Sequence, residues 1–131
     1  AGDTALVGAP EDDDPNGERA GSAHVFERSD GAWDHRTKLA PADGDSVDLF
    51  GVAVALTADG TAALLGARVD EDPNGEQAGS AYVFARSDGA WRQRAKLAPE
   101  DGEPHDVFGR SVALARETAL VGTARGKAYV F

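Results

Sequence analysis

The chain alternates between short apolar runs and short polar turns from end to end. "GVAVALT" (Gly51 to Thr57) interleaves small and aliphatic residues. "TAALLGA" (Thr61 to Ala67) is a continuous apolar run. "GSAYVFAR" (Gly79 to Arg86) carries aromatic and β-branched residues, and "AWRQRAKLA" (Ala90 to Ala98) is dominated by polar ones. Lengths of this kind, bounded by Asp, Gly and Pro, predict β-strands. The turns are Ala58-Asp59-Gly60, an acidic segment around Pro73-Asn74-Gly75, Ser87-Asp88-Gly89 and Pro99-Glu100-Asp101-Gly102. No stretch sustains a helical period.

The same text recurs at a fixed step of 58 residues. Phe50-Gly51 returns as Phe108-Gly109, Gly21-Ser22-Ala23 as Gly79-Ser80-Ala81, and "RSDGAW" at Arg28 as "RSDGAW" at Arg86. The register is unbroken from residue 4 to residue 106. A repeat with four antiparallel strands whose polarity rises from first to last is the pattern of a β-propeller blade. The predicted fold class is therefore all-β, with about two and a half blades. Residues 1–48 supply strands 2–4 of one blade, 49–106 a full blade, and 107–131 strands 1–3 of a third. One blade cannot cover both of its faces alone. A partial propeller therefore belongs to a longer chain or completes itself as a homo-oligomer, because uncovered edges pair readily.

The motifs "FG-x-x-VAL", "TALVGAP", "GSAYVF" and "W…KL" resemble the FG-GAP repeat. That repeat builds the propeller head of integrin α subunits, and the closest likeness is to its bacterial and archaeal variety in surface and secreted proteins. The FG elements are Phe50-Gly51 and Phe108-Gly109. The GAP element is intact at Gly8-Ala9-Pro10 and altered at Gly66-Ala67-Arg68 and Gly122-Thr123-Ala124. The resemblance implies an extracellular or cell-surface module of the adhesion type that binds a protein or glycan. It also implies calcium between the first and second strands, where this chain has only "TADGTA" with Asp59, and "ARET" in the third repeat.

Acids gather instead between the second and third strands. Asp70, Asp72 and Asn74 precede Gly75 at alternate positions, and Asp12, Asp14 and Asn16 precede Gly17 in the same way. Alternate oxygen ligands before a glycine turn suit a hard cation such as calcium. Glu76 and Glu18 are available in place of the missing twelfth-position acid, where Ala81 and Ala23 stand. Pro73 and Pro15 limit how the loops curl. The plain alternative is a solvated acidic tip with Pro-Asn-Gly making the turn. The third copy, "GTARGKAYV", lacks the acids and carries Arg125 and Lys127, so a blade does not require them.

The chain has 131 residues and a net charge of -10. That charge disfavours nucleic acid as a partner, since phosphate contacts need a basic footprint. No apolar run approaches the length of a membrane span. Cysteine is absent, which excludes disulfides and thiol chemistry. The acidic, Lys-poor composition suits a halophile-like, high-salt milieu, and a GC-rich genome produces the same bias. An enzyme is not expected. His24 stands where the second copy has Tyr82, His35 where it has Gln93, and His105 precedes Phe108. None has a nucleophile and acid at repeat spacing. Carboxylate pairs of the glycosidase kind fall only in turns. A further alternative is an accessory domain of a larger secreted hydrolase.

Overall fold

The computed structural model describes residues 1–131 except Asp14 and Asp72. It contains ten strands: β1 (Thr4–Ala9), β2 (Ser22–Ser29), β3 (Ala32–Leu39), β4 (Phe50–Leu56), β5 (Ala62–Ala67), β6 (Ser80–Ser87), β7 (Ala90–Leu97), β8 (Ser111–Leu114), β9 (Ala119–Gly122) and β10 (Ala128–Val130). They form three antiparallel meanders in the orders β1-β2-β3, β4-β5-β6-β7 and β8-β9-β10. The described residues form no helix. The expected strands are present within a residue or two of their predicted ends, and the chain is all-β as expected.

Local chemistry sets the hairpins. Asp30-Gly31 joins β2 to β3 and Asp88-Gly89 joins β6 to β7, with positive φ at both residues of each pair. Two-residue loops of this kind match the right-handed twist of the flanking strands, and Asp-Gly is a favoured pair for them. The β2–β3 register slips between Val25 and Phe26, and the β6–β7 register slips at the equivalent Val83 and Phe84. The repeat thus preserves its bulge as well as its strands.

The sheets pack face to face. β1 lies against β4, and β4 and β5 lie against β8. One core, between the first two sheets, holds Val25, Phe50, Leu65, Tyr82 and Phe84. The next, between the second and third sheets, holds Leu64, Ala81, Phe108 and Val121. Strand β5 supplies Leu65 to one core and Leu64 to the other, because neighbouring side chains on a strand point to opposite faces. This explains its continuous apolar run. Burial does not follow the rise in polarity from the first strand to the last. β5 is buried along nearly its whole length, whereas β4 is only half-buried beyond Gly51. The second strand has a sheet on each side, while β4 forms the edge of its own sheet.

Candidate functional site

In the first two meanders the β1–β2 and β5–β6 connections emerge at the same end as the linker to the next sheet. The acidic loops 10–21 and 68–79 therefore meet the linkers 40–49 and 98–107. Asn16 Nδ2 donates to the Pro41 carbonyl at 2.9 Å, and Asn74 Nδ2 donates to the Pro99 carbonyl at the same distance. The backbone continues the attachment. Val47, Leu49 and Phe50 N–H groups donate to the carbonyls of Glu18, Arg19 and Ala20, and His105, Val107 and Phe108 donate to Glu76, Gln77 and Ala78. Each loop is thus a short backbone rail that guides the chain into the following Phe-Gly.

The first acid of each loop turns inward. Asp70 is buried and its Oδ2 accepts from Ser80 Oγ at 2.5 Å, Tyr82 OH at 2.8 Å and Lys96 Nζ at 2.9 Å. Lys96 also donates to Asp43 Oδ2 at 2.8 Å, in the linker of the preceding sheet. Burial opposes the Lys96 charge, yet the Asp43 and Asp70 carboxylates hold its ammonium well above the ordinary lysine range. Burial and Asp70 likewise raise the Tyr82 phenol. The first loop repeats the arrangement with a more open Asp12, which accepts from Ser22 Oγ at 2.6 Å and pairs with Lys38 Nζ at 2.7 Å.

These contacts bear on the expected calcium ligands. Asp12 and Asp70 face ammonium groups, which a cation at those oxygens would have to displace. Asn16 and Asn74 direct their amide NH2 groups to linker carbonyls. Glu18 and Glu76 are exposed, and Asp14 and Asp72 lie outside the described residues. Among the described residues no three acidic or imidazole side chains converge in an arrangement that could hold a metal. At the family's usual position, Asp59 folds back onto its own turn. It accepts from Thr57 Oγ1, Thr61 Oγ1 and the Thr61 N–H, which pull its carboxyl down to about 2.

The third copy shows what the acids balance. With the loop shortened, Arg125 Nε approaches Asp106 Oδ1 at 3.6 Å and its Nη1 reaches Glu103 at 3.4 Å, while Lys127 pairs with Asp101 at 3.5 Å. The shortened loop keeps the backbone contact to the linker before its own sheet, from Ala124 N to the Asp106 carbonyl, matching that from Val69 N to the Asp48 carbonyl. The acidic loops of the first two copies are structural buttresses for the linkers that follow them.

Asp48 and its repeat Asp106 escaped the sequence reading. Both are buried just ahead of the Phe-Gly pair. Their recurrence at the repeat step was the available signal, hidden because linker acids look like solvated turn residues. Asp48 accepts from the Asp45 N–H at 2.7 Å and faces a cleft of about 390 Å³ shared with Asp70, Glu71 and Glu76. Burial, with help from the Asp70 and Asp45 charges, raises its carboxyl from 3.8 to about 6. A raised carboxyl holds more protons folded than unfolded between those values, so its contribution to stability grows as pH falls from about 6 toward 4. Asp48→Asn, which keeps the acceptor, is expected to raise the melting temperature at pH 7. It should also flatten the melting curve's pH dependence between 4 and 6. An unchanged pH profile in thermal melts would contradict the burial of this charge.

Acidic charge gathers at one end of the blades. Sixteen of the 23 acidic residues fall in the four segments 10–21, 40–49, 68–79 and 98–107, against two of the 13 basic ones. The described residues of all four segments lie at the loop-and-linker end; Asp14 and Asp72 are outside the described residues. Arg125 and Lys127 meet the acids of the second linker at that same end, and the remaining basic residues lie outside these segments.

No curated protein sequence matches the chain closely. The sequence model of the FG-GAP repeat matches residues 1–26, 33–84 and 91–131. The stretches run one strand out of step with the meanders: the second joins β3 to β4, β5 and β6, and the third joins β7 to β8, β9 and β10. The chain belongs to the FG-GAP repeat family.

Proposed function

We propose that the chain is a non-enzymatic propeller module, extracellular or on the cell surface, that binds a partner through the acidic end of its blades. The supporting observation is the gathering of fourteen described acidic residues at that end. The inward acids Asp70 and Asp12 hold the loops in place. Glu18, Glu71 and Glu76 stay exposed there and are free to meet a partner. Charge of one sign concentrated on one face steers an oppositely charged surface toward it. A protein segment rich in Lys and Arg fits this face better than a neutral glycan.

The test compares a Lys/Arg-rich peptide with a neutral oligosaccharide over the immobilised chain. Peptide binding that weakens with salt and with Glu18→Gln, Glu71→Gln and Glu76→Gln combined supports the proposal. Binding indifferent to those changes, or glycan binding that is stronger, overturns the choice of partner. Calcium at the two loops belongs to the same proposal and has its own check. A melting temperature that rises at millimolar calcium in wild type, and not in Asp70→Ala, supports it. Equal behaviour of the two removes it.

A further inference from the structure

His24 and His35 meet on the outer face of the first sheet. His35 on β3 stands opposite Phe26 on β2, and His24 shares the face of Phe26 two residues away. The register slip beside Phe26 brings the rings together, with His24 Nδ1 2.9 Å from His35 Nε2 and ring centroids 5.1 Å apart. Phe26 meets the His35 ring edge-on at 5.2 Å and limits its rotation. The second copy has Tyr82 and Gln93 at these places, each bonded elsewhere: Tyr82 to Asp70 and Gln93 to the Ala42 N–H. The imidazole pair is a departure from the repeat, and the blade does not need it.

The far side of His24 is already arranged. Its Nε2 lies 3.4 Å from Ser22 Oγ and 4.0 Å from Asp12 Oδ2. Ser22 Oγ donates to Asp12 and so presents its oxygen lone pairs to the ring. The Ser22 oxygen, with the Asp12 carboxylate behind it, favours the proton on Nε2 and leaves Nδ1 as the acceptor facing His35 Nε2. Carboxylates and hydroxyls behind a ligating histidine fix its tautomer and orientation in metal sites. The neighbouring cations are engaged: Lys38 with Asp12, and Arg36 with Glu27 at 3.1 Å. His24 is partly exposed and His35 exposed.

We propose that His24 Nδ1 and His35 Nε2 form a two-imidazole site for a divalent transition metal, with water completing the coordination. Metal–imidazole bonds of about 2.0–2.1 Å to two nitrogens about 2.9 Å apart subtend about 90° at the metal. That is the cis angle of tetragonal and octahedral sites, which favours Ni2+ or Cu2+. Tetrahedral Zn2+ needs a gap of about 3.3 Å between its ligands. The metal takes the place of the proton shared between the rings. The His35 proton moves to its own Nδ1, so each imidazole stays neutral and none is lost overall. This site borders the first acidic loop through Asp12 and uses none of Glu18, Glu71 and Glu76, on which the proposed partner binding rests.

The test is a calorimetric titration of the chain, free of any polyhistidine tag, with Ni2+ at neutral pH. His24→Tyr and His35→Gln introduce the residues the second copy already carries, so both are compatible with the blade. One Ni2+ per chain is expected, bound about tenfold or more weaker in either variant and unchanged in His105→Gln. Paramagnetic broadening of imidazole NMR signals in the wild-type chain gives a check that needs no variant. Loss of the His24 and His35 signals before that of His105 supports the site. Wild-type binding no tighter than that of the double variant, or equal broadening of all three rings, overturns it.

Discussion

Phe50→Ala is expected to lower the stability of the chain by about 3–5 kcal/mol. Phe50 is fully buried between the first two sheets. Its ring meets Tyr82 at 5.5 Å and Phe84 at 6.0 Å, both edge-on. The cavity left behind cannot collapse easily, because its walls belong to two sheets held apart by their own strand ladders. The backbone at Phe50 is also fixed by its N–H bond to the Ala20 carbonyl, so the chain cannot slide in to fill the space. A domain of this size should lose roughly 10 °C or more in melting temperature. Phe50→Leu, which keeps most of the volume, should lose much less. Equal melting of the alanine variant and wild type would mean that this ring does not join the sheets.

Gly66→Ala is expected to be as damaging, by about 3 kcal/mol or more, through overpacking. A Cβ at Gly66 would lie 1.8 Å from the Gly109 carbonyl oxygen and 2.8 Å from its carbon. Both are backbone atoms, so no side chain can swing aside. The second and third sheets would have to separate, opening the core around Phe108 and Leu64. Gly8 makes the same approach to Gly51, at 1.9 Å, so Gly8→Ala should part the first two sheets likewise. The Gly of GAP and the Gly of FG are therefore halves of one contact between blades. Hydrogen exchange can localise the effect: amides of β8 and β9 should lose protection in Gly66→Ala while those of β2 and β3 keep theirs. Uniform protection across all three sheets would contradict this account.

Several features were legible along the chain for a physical reason. Strand periodicity, two-residue Asp-Gly turns and the step of 58 are local or translational properties, and a repeat states each of them more than once. The buried ion pair was not legible. Asp70 reads as one acid among several in a turn. Its neutralisation requires β6 to bring Ser80 and Tyr82, β7 to bring Lys96, and the preceding linker to bring Asp43. Those partners lie ten to 27 residues away, and only strand pairing and sheet packing unite them.

By itself the sequence determined the fold class, the strand boundaries, the repeat and its family, because alternation and turn chemistry act over a few residues. Tertiary structure alone decided what the acids do. It turned Asp12 and Asp70 inward onto lysines, raised the Asp48 carboxyl by burying it, and converted the Pro-Asn-Gly loops into buttresses for the linkers. It also joined His24 to His35. The sequence shows each as a lone departure from the repeat, and the register slip between β2 and β3 makes them a pair. Charge and hydrogen-bond partners are set by distance through space, which strand order, register and the packing of one sheet on the next establish.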